Sequence, residues 1–160
     1  MAKKGNTPAL AYLRRRKLDH EVHTYELTVD ADSYGEAVAA ELGVEPGRLF
    51  KTLIATVDGE PVVAIVPVSG RLSLKALAKA ASGKRATMAD PADAERWTGY
   101  VTGGISPFGQ KRRLPVFIDD SVTGFETVFA SGGQRGIQIE VHPADLIEHL
   151  DAELAPLSGE

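Results

Sequence analysis

The sequence predicts an α+β fold in which helices surround a mixed, largely antiparallel sheet. The chain has 160 residues, a length typical of one domain. Asp58-Gly59 is a strong hairpin signal, and it lies between two apolar runs of strand length. Helix start signals precede and follow this hairpin. Hairpins that stand among helices in this way are typical of an α+β domain.

Five helices are predicted, most of them from a start signal. Thr7-Pro8 supplies an N-cap and a first-turn proline for a helix that continues to Leu18. Ser33 and Glu36 form a capping box for a second helix, which ends at Gly43. The other helices are predicted from Ser73 to Ala81, from Asp90 to Arg96 or Trp97, and over Pro143–Leu150.

Six strands are predicted from short runs of apolar residues. Phe50–Val57 is apolar on both faces, and this pattern indicates a central strand. The full set is Glu21–Leu27, Phe50–Val57, Pro61–Val68, Pro115–Asp119, Glu126–Ala130 and Gly136–Val141. Only the first five and the last six residues are expected to be loose.

Composition excludes several kinds of chemistry. Hydrophobic residues make up 43% of the chain and charged residues 25%, which is ordinary for a soluble globular protein. Cysteine is absent, which excludes disulfides, thiolate metal sites and a protein thiol nucleophile. The start lacks the apolar region of a signal peptide, and no apolar run is long enough to span a bilayer. We therefore expect a cytoplasmic protein.

The net charge of −4 disfavours a general nucleic-acid binder. Two local basic clusters nevertheless stand out, Arg14–Lys17 and Lys111–Arg113. Each is either a solvated surface segment or a patch that contacts a phosphate backbone. The sequence leaves both interpretations open.

The stretch Thr98–Gln110 is the most informative part of the sequence. It contains four glycines: Gly99, Gly103, Gly104 and Gly109. Without Cβ atoms, such a loop lets a ligand oxygen approach the backbone N–H groups. It matches neither a P-loop nor a dinucleotide-binding fingerprint. We therefore expect it to hold a carbonyl, an oxyanion or, with weaker support, a phosphate.

Lys51 is the second candidate, because strand alternation places it in a row with Leu53, Ala55 and Val57. A lysine rarely lies fully buried in such a row without a partner. Its ammonium either projects into a pocket, where it binds an anion or polarises a carbonyl, or reaches solvent on an aliphatic stem.

Other residues give weaker indications. The four histidines match no metal-ligand spacing, so no metal site is expected. His23 and Tyr25 share a strand face and either line a site or form ordinary sheet surface. Ser131 begins a tight turn, where a hydroxyl commonly shapes the backbone. The residues alone thus predict a pocket with a lysine and an N–H donor loop, without naming a substrate.

Several spaced motifs together resemble the YbaK/EbsC family. They are Phe50-Lys-Thr-Leu53, Met88-Ala-Asp-Pro91, Thr98-Gly-Tyr100, Gly103-Gly-Ile-Ser-Pro107, Gly109-Gln-Lys111 and Ser131-Gly-Gly-x-Arg-Gly136. The resemblance covers residues 7–150, which it implies form one editing domain. Within the family the chain is most similar to Cys-tRNA(Pro)/Cys-tRNA(Cys) deacylases, free-standing relatives of the prolyl-tRNA synthetase editing domain. That fold is accordingly expected here.

The resemblance implies an enzyme that cleaves the ester between cysteine and the 3′ adenosine of tRNA(Pro). It implies catalytic roles for Lys51, which binds the terminal phosphate or orients the ester, and for the Gly103 N–H, which holds the carbonyl. The substrate-binding residues that it implies are Tyr25, Thr52, Gly104, Ile105, Ser106 and Ser131. It implies no metal or cofactor. The expected partners are aminoacyl-tRNA and prolyl-tRNA synthetase.

The nucleophile and the cargo have alternatives. In the mechanism that the resemblance implies, the thiol of the substrate cysteine attacks its own ester carbonyl and leaves a cyclic thiolactone; a bound water is the alternative. Gln138 stands where the family leads us to expect an acidic residue, so the cargo is less certain. Alanine or another small amino acid is an alternative cargo, and a non-catalytic module that docks on tRNA or a synthetase is an alternative function.

Overall fold

Helices and strands alternate along the chain much as the sequence predicts. The structure is a computed structural model, and it describes residues 6–26 and 34–159. The helices in these ranges are α1 (Pro8–Arg15), α2 (Tyr34–Leu42), α3 (Leu74–Ala80), α4 (Pro91–Thr98) and α5 (Pro143–Leu150). The strands are β1 (His20–Thr24), β2 (Phe50–Val57), β3 (Glu60–Pro67), β4 (Arg71–Leu72), β5 (Ala86–Met88), β6 (Val116–Asp119), β7 (Val128–Ser131), β8 (Ile137–Val141), β9 (Glu153–Ala155) and β10 (Ser158–Gly159).

The larger sheet has five strands in the order β5-β2-β3-β6-β9. The first three pair antiparallel, whereas β6 and β9 are parallel to their neighbours. This arrangement confirms the α+β class and the mixed, largely antiparallel sheet. The predicted bounds of β2 and its central position are also confirmed.

The hairpin between β2 and β3 turns at Asp58 and Gly59. Their φ angles are 51° and 86°, and positive values at both central residues are what a type I′ hairpin turn requires. The Asp58 carboxylate also accepts hydrogen bonds from the backbone N–H groups of Lys84 and Arg85. The turn signal read from the sequence is therefore confirmed.

A smaller antiparallel sheet, in the order β1-β8-β7, lies against the start of β2. An isolated bridge between Leu49 and Phe129 links the two sheets. Within the smaller sheet, Ser131 of β7 is paired with Gln138 of β8. An apolar core joins α1 to strands of both sheets, and it includes Leu13 of α1, Phe50 of β2 and Ile139 of β8. This packing brings the start of β2 beside the end of β7.

Helix α1 begins as predicted but ends earlier. The Thr7 hydroxyl accepts a hydrogen bond from the Leu10 N–H at 3.2 Å, which confirms the N-cap. The predicted end at Leu18 is wrong, because Lys17 adopts a left-handed conformation with φ 56°. The Leu18 N–H then bonds to the Leu13 carbonyl and closes a Schellman motif.

Residues 155–159 are ordered, contrary to the expectation that the last six residues are loose, and Glu160 lies outside the described residues. Leu157 is fully buried, and β10 pairs with β4. The nearly buried Asp119 carboxylate anchors the segment by accepting hydrogen bonds from the Leu157 and Ser158 N–H groups. Strands β9 and β10 thus extend the structure beyond residue 150.

The other predicted elements fall close to the observed ones. Their bounds differ by no more than about two residues, except at the end of β1, a usual error for element ends. The predicted end of the first strand at Leu27 is wrong, because the strand ends at Thr24 and the described residues Tyr25 and Glu26 are not part of it. Ser33 lies outside the described residues, so the capping box is not tested. None of the helices in the described ranges has the length and apolar character needed to cross a membrane.

Candidate functional site

A cavity of about 370 Å³ lies where β2, the glycine-rich loop and the turn between β7 and β8 meet. We call it the central cavity. Five of the predicted site residues line it: Lys51, Thr52, Gly103, Ile105 and Ser131. The structure therefore brings together residues that are up to 80 positions apart in the sequence.

Lys51 lies at the start of β2, where it is half-buried. Burial lowers the pKa of its ammonium below the ordinary value, the charge of Arg71 lowers this pKa further, and Glu36 partly opposes both effects. A partly desolvated cation in a cavity binds an anionic or carbonyl oxygen more strongly than one in water.

Gly103 and Gly104 differ in what their N–H groups do. The Gly104 N–H donates to the Val101 carbonyl at 2.8 Å, so it is already occupied. The Gly103 N–H has no hydrogen-bond partner within the part of the chain that the structure describes. Gly103 also has a φ of 93°, which favours glycine. Of the two predicted donors, only the Gly103 N–H is without a hydrogen-bond partner among the described residues, and Gly103 lines the central cavity.

Three other predicted binding residues lie outside the lining of the central cavity. Gly104 faces a neighbouring depression. Ser106 is fully buried, and its hydroxyl accepts a hydrogen bond from the Phe108 N–H, so it orders the loop. Tyr25 is nearly buried, and its hydroxyl lies 2.7 Å from that of Tyr34, which does line the cavity.

Two buried polar atoms in the cavity wall have no partner. Thr52 is 8% exposed and Gln138 is 5% exposed. Neither the Thr52 Oγ1 nor the Gln138 Oε1 makes a hydrogen bond to any described residue. Buried polar atoms are nearly always partnered in folded proteins, so these two atoms mark positions in the cavity where an ordered water or a ligand can supply the missing bonds.

Tyr34 and Arg135 are site residues that the sequence reasoning missed. The Arg135 guanidinium lies 4.7 Å from the centre of the Tyr34 ring and packs on the backbone of Gly103, where an added Cβ would lie 2.5 Å from its Nε. Burial raises the pKa of the Tyr34 hydroxyl, and the hydrogen bond with Tyr25 raises it further, so the phenol stays neutral. Arg135 was visible within the Ser131–Gly136 motif, but no role was assigned to it.

His23 takes part in a polar cluster outside the central cavity. Its Nε2 lies 3.0 Å from Glu140, whose other carboxylate oxygen binds Arg48 and Thr127. Burial acts to raise the pKa of Glu140, but these hydrogen bonds outweigh burial and lower it. Ligand atoms of Glu21, His23 and Glu140 lie within 4.8 Å of one another, as do those of a second group, Asp145, Glu148 and His149. The carboxylate of Glu140 is already engaged by its protein partners.

The fold and the cavity define a class of protein: an α+β domain with a cavity lined by a lysine and by a glycine whose N–H has no hydrogen-bond partner among the described residues. The chain belongs to the family of aminoacyl-tRNA editing domains, whose model matches residues 28–149. This result confirms the resemblance stated on the motifs.

Three related proteins have names that are consistent with this family. The chain is 36% identical to EbsC of Enterococcus faecalis, and the match covers 99% of this chain and 98% of EbsC. EbsC is provisionally named a Cys-tRNA(Pro)/Cys-tRNA(Cys) deacylase. It is 29% identical over 91% of its length to the multifunctional Ser/Thr-tRNA deacylase ProXp-y of Escherichia coli, covering 87% of that protein. It also matches the proline–tRNA ligase of Maridesulfovibrio salexigens at 37% identity, over 63% of this chain and 17% of the ligase.

A solved structure confirms the fold. A protein described as a provisional trans-editing enzyme for prolyl-tRNA synthetase superposes with a TM-score of 0.82, at 22% identity and with full coverage of both chains. At this identity the similarity concerns the fold alone.

Proposed function

We propose that this protein is an aminoacyl-tRNA deacylase that removes cysteine from mischarged tRNA(Pro). One observation carries the proposal: the central cavity combines Lys51 with the open Gly103 N–H, while its described lining contains no histidine, aspartate or glutamate. Such a cavity can bind and polarise an ester, but no described residue of its lining supplies a carboxylate or an imidazole as general base. A substrate that brings its own nucleophile suits it.

The proposed roles follow from the positions of the donors. The Gly103 N–H donates to the ester carbonyl oxygen and stabilises the negative charge that develops on it. The Lys51 ammonium binds the phosphate of the terminal nucleotide or orients the ester. Ile105, Thr52 and Ser131 form the wall around the aminoacyl group.

The proposed chemical step is an intramolecular acyl transfer. The sulfur of the substrate cysteine forms a bond to its own ester carbonyl carbon. The bond from that carbon to the ribose oxygen breaks, and the thiol proton ends on the ribose oxygen. The products are a tRNA with a free 3′ end and a cyclic thiolactone, which water opens to cysteine. The enzyme contributes position and electrostatic stabilisation.

The name of EbsC supports cysteine as cargo, and that of ProXp-y supports a second candidate, serine or threonine. Release of amino acid from Cys-, Ser- and Ala-tRNA(Pro) by the purified protein separates these cargos. We expect cysteine to be released fastest and serine much more slowly, because a hydroxyl is a far weaker nucleophile than a thiolate. Equal release of serine and cysteine would exclude thiol assistance, and no release of any amino acid would refute the deacylase function.

The proposed setting is editing alongside prolyl-tRNA synthetase in the cytoplasm, by a domain of about residues 7–150. The match to part of a proline–tRNA ligase supports this pairing. Co-purification of the protein, the synthetase and tRNA(Pro) as one complex is the expected result. Failure to form any such complex would leave deacylation intact but refute the partnership.

A further inference from the structure

A continuous series of depressions leads away from the central cavity. Next to it lies a bridging depression of about 450 Å³, and beyond this lies a basic groove of about 360 Å³. Thr102 lines both the central cavity and the bridging depression, and Pro8 lines both the bridging depression and the basic groove. The three therefore form one surface path.

The path carries positive charge on an acidic protein. Lys51 lies in the central cavity, Arg135 lines the bridging depression, and Arg15 and Arg113 line the basic groove. The chain has 22 acidic residues and a net charge of −4, yet no aspartate or glutamate is found among the described residues that line any of the three. Charge of one sign along a concave surface attracts an extended anion.

The basic groove joins the two basic clusters that the sequence left unconnected. The ring of Tyr12 in α1 stacks on Phe108 of the glycine-rich loop, with 5.5 Å between centroids and 22° between planes. Gly109 fits so closely against Pro8 that an added Cβ would lie 2.7 Å from its carbonyl oxygen. These contacts bring Arg15 and Arg113 to one groove from positions 98 residues apart in the sequence.

The arginines of the basic groove are exposed to solvent. Arg15 and Arg113 form no ion pair with any residue in ranges 6–26 and 34–159. The Arg15 and Arg16 guanidinium groups lie 5.9 and 5.5 Å from the centre of the Tyr12 ring. Exposed guanidinium groups, with no carboxylate among the described residues of the groove lining, are typical of surfaces that bind a phosphate backbone.

We propose that this path is an RNA-binding track that runs from the central cavity to the basic groove. The proposal rests on the proposed function, because the aminoacylated end of the RNA then occupies the central cavity. Arg135, in the bridging depression, contacts a phosphate that follows the terminal one, and Arg15 and Arg113 contact phosphates farther along the strand. An acidic protein partner would also complement the positive charge of the path. Such a partner would not need a path that continues into the central cavity, so we favour RNA as the occupant.

The test measures RNA binding without catalysis. A fluorescently labelled, deacylated hairpin that carries the acceptor stem and 3′ end of tRNA(Pro) is titrated with protein at 50 to 200 mM salt. The variant is R15Q/R113Q, and the matched control is K75Q/K79Q, which neutralises two exposed lysines of α3 outside the path. R135Q is a second, independent variant, and thermal unfolding verifies that all are folded.

We expect R15Q/R113Q to bind about tenfold more weakly and to reduce the slope of log affinity against log salt by about 1.5, since two phosphate contacts are lost. R135Q should reduce the slope by about 1, and K75Q/K79Q should bind as the parent does. If R15Q/R113Q and R135Q bind the hairpin as tightly as the control does, the track is refuted. The same result is expected if these arginines contact a protein instead of RNA.

Deacylation by the parent protein is measured separately, on a cysteinyl ester of adenosine that lacks the rest of the RNA. Loss of RNA binding in the variants with no release of cysteine by the parent would refute the deacylase but support the track. Release of cysteine with unchanged RNA binding in the variants would support the deacylase and refute the track.

Discussion

The Asp119 site and the central cavity treat buried polar atoms in opposite ways. One Asp119 carboxylate oxygen accepts hydrogen bonds from the Leu157 and Ser158 N–H groups at 2.8 and 2.9 Å. The other accepts from the hydroxyl and N–H of Ser121. In the cavity, Thr52 Oγ1 and Gln138 Oε1 are equally buried and have no partner among the described residues.

This difference distinguishes buried polar groups that stabilise the fold from buried polar groups that are available to a ligand. An unsatisfied buried donor or acceptor costs about 1–3 kcal/mol, so the cavity lowers the stability of the free protein. The Asp119 site instead fixes the C-terminal strands to the sheet. Conflicts with local packing rules are expected where a protein binds a ligand, and the five predictions below test this contrast.

The largest effect is expected at Lys51. Replacement of Lys51 by Met should lower kcat/KM for Cys-tRNA(Pro) by about 100- to 1,000-fold, because the cation that holds the substrate is lost. The free energy of unfolding should stay the same or rise, since a half-buried charge is removed. The control is Lys75→Met in α3, which should retain parental activity. Equal activity in the two variants would remove Lys51 from the site.

Asp119→Ala should lower the free energy of unfolding by about 3 kcal/mol, because four donors lose their acceptor. Urea unfolding measures this, with the exposed neighbour variant Asp120→Ala as the matched control. The activity of the folded fraction should stay near the parental value. A variant as stable as Asp120→Ala would show that the site does not anchor the C-terminal strands.

The same carboxylate gives a pH dependence. Burial acts to raise the pKa of Asp119, but the hydrogen bonds from Ser121, Leu157 and Ser158 outweigh burial and lower it. Its stabilising effect is therefore present above the unfolded pKa of about 3.9 and is lost as the pH falls through the lower folded pKa. The stability gap between parent and Asp119→Ala should narrow in that acidic range.

Thr52→Val should separate activity from stability. The change keeps the shape and removes the orphan hydroxyl, so kcat/KM should fall about tenfold while the free energy of unfolding is unchanged or rises by about 1 kcal/mol. Thr56→Val on the same strand is the control, because the Thr56 hydroxyl bonds to Thr87 in an exposed position. If Thr52→Val lost stability and kept activity, the hydroxyl would be structural.

The smallest effect is a shift in a pH profile. Because the pKa of Lys51 is lowered, its ammonium loses its proton at a pH below the ordinary lysine range, and deacylation above background should fall there. Stability should change in the opposite direction, since the unfolded chain binds the proton more tightly and stability rises with pH across this window. Lys51→Arg should move the loss of activity to higher pH, and an unchanged profile would contradict the assignment.

Elements with complete local signals were predictable. The bounds of β2 and the turn at Asp58 follow from apolar runs and one dipeptide. The end of α1 was missed because a lysine, rather than a glycine, takes the left-handed position of its Schellman motif. The order of the C-terminus was missed because the acceptor for the Leu157 N–H is 38 positions away.

The candidate site was predictable as a set of residues but not as a geometry. Lys51 and the glycine-rich loop could be selected by residue type and resemblance. Their meeting in one cavity depends on how two sheets pack, which no local pattern encodes. The bond from the Gly104 N–H to Val101, and the placement of Arg135 against Gly103, also arise only in the folded chain.

The Thr7 hydroxyl has a practical consequence for handling this protein. Besides capping α1, it donates a 2.6 Å hydrogen bond to the Gly132 carbonyl, in the turn between Ser131 and Arg135. The Thr7 side chain therefore fixes the turn that carries Ser131, which lines the central cavity, and Arg135, which lines the bridging depression. Trimming the N-terminus past Thr7 would therefore disturb that turn and mimic an active-site mutation.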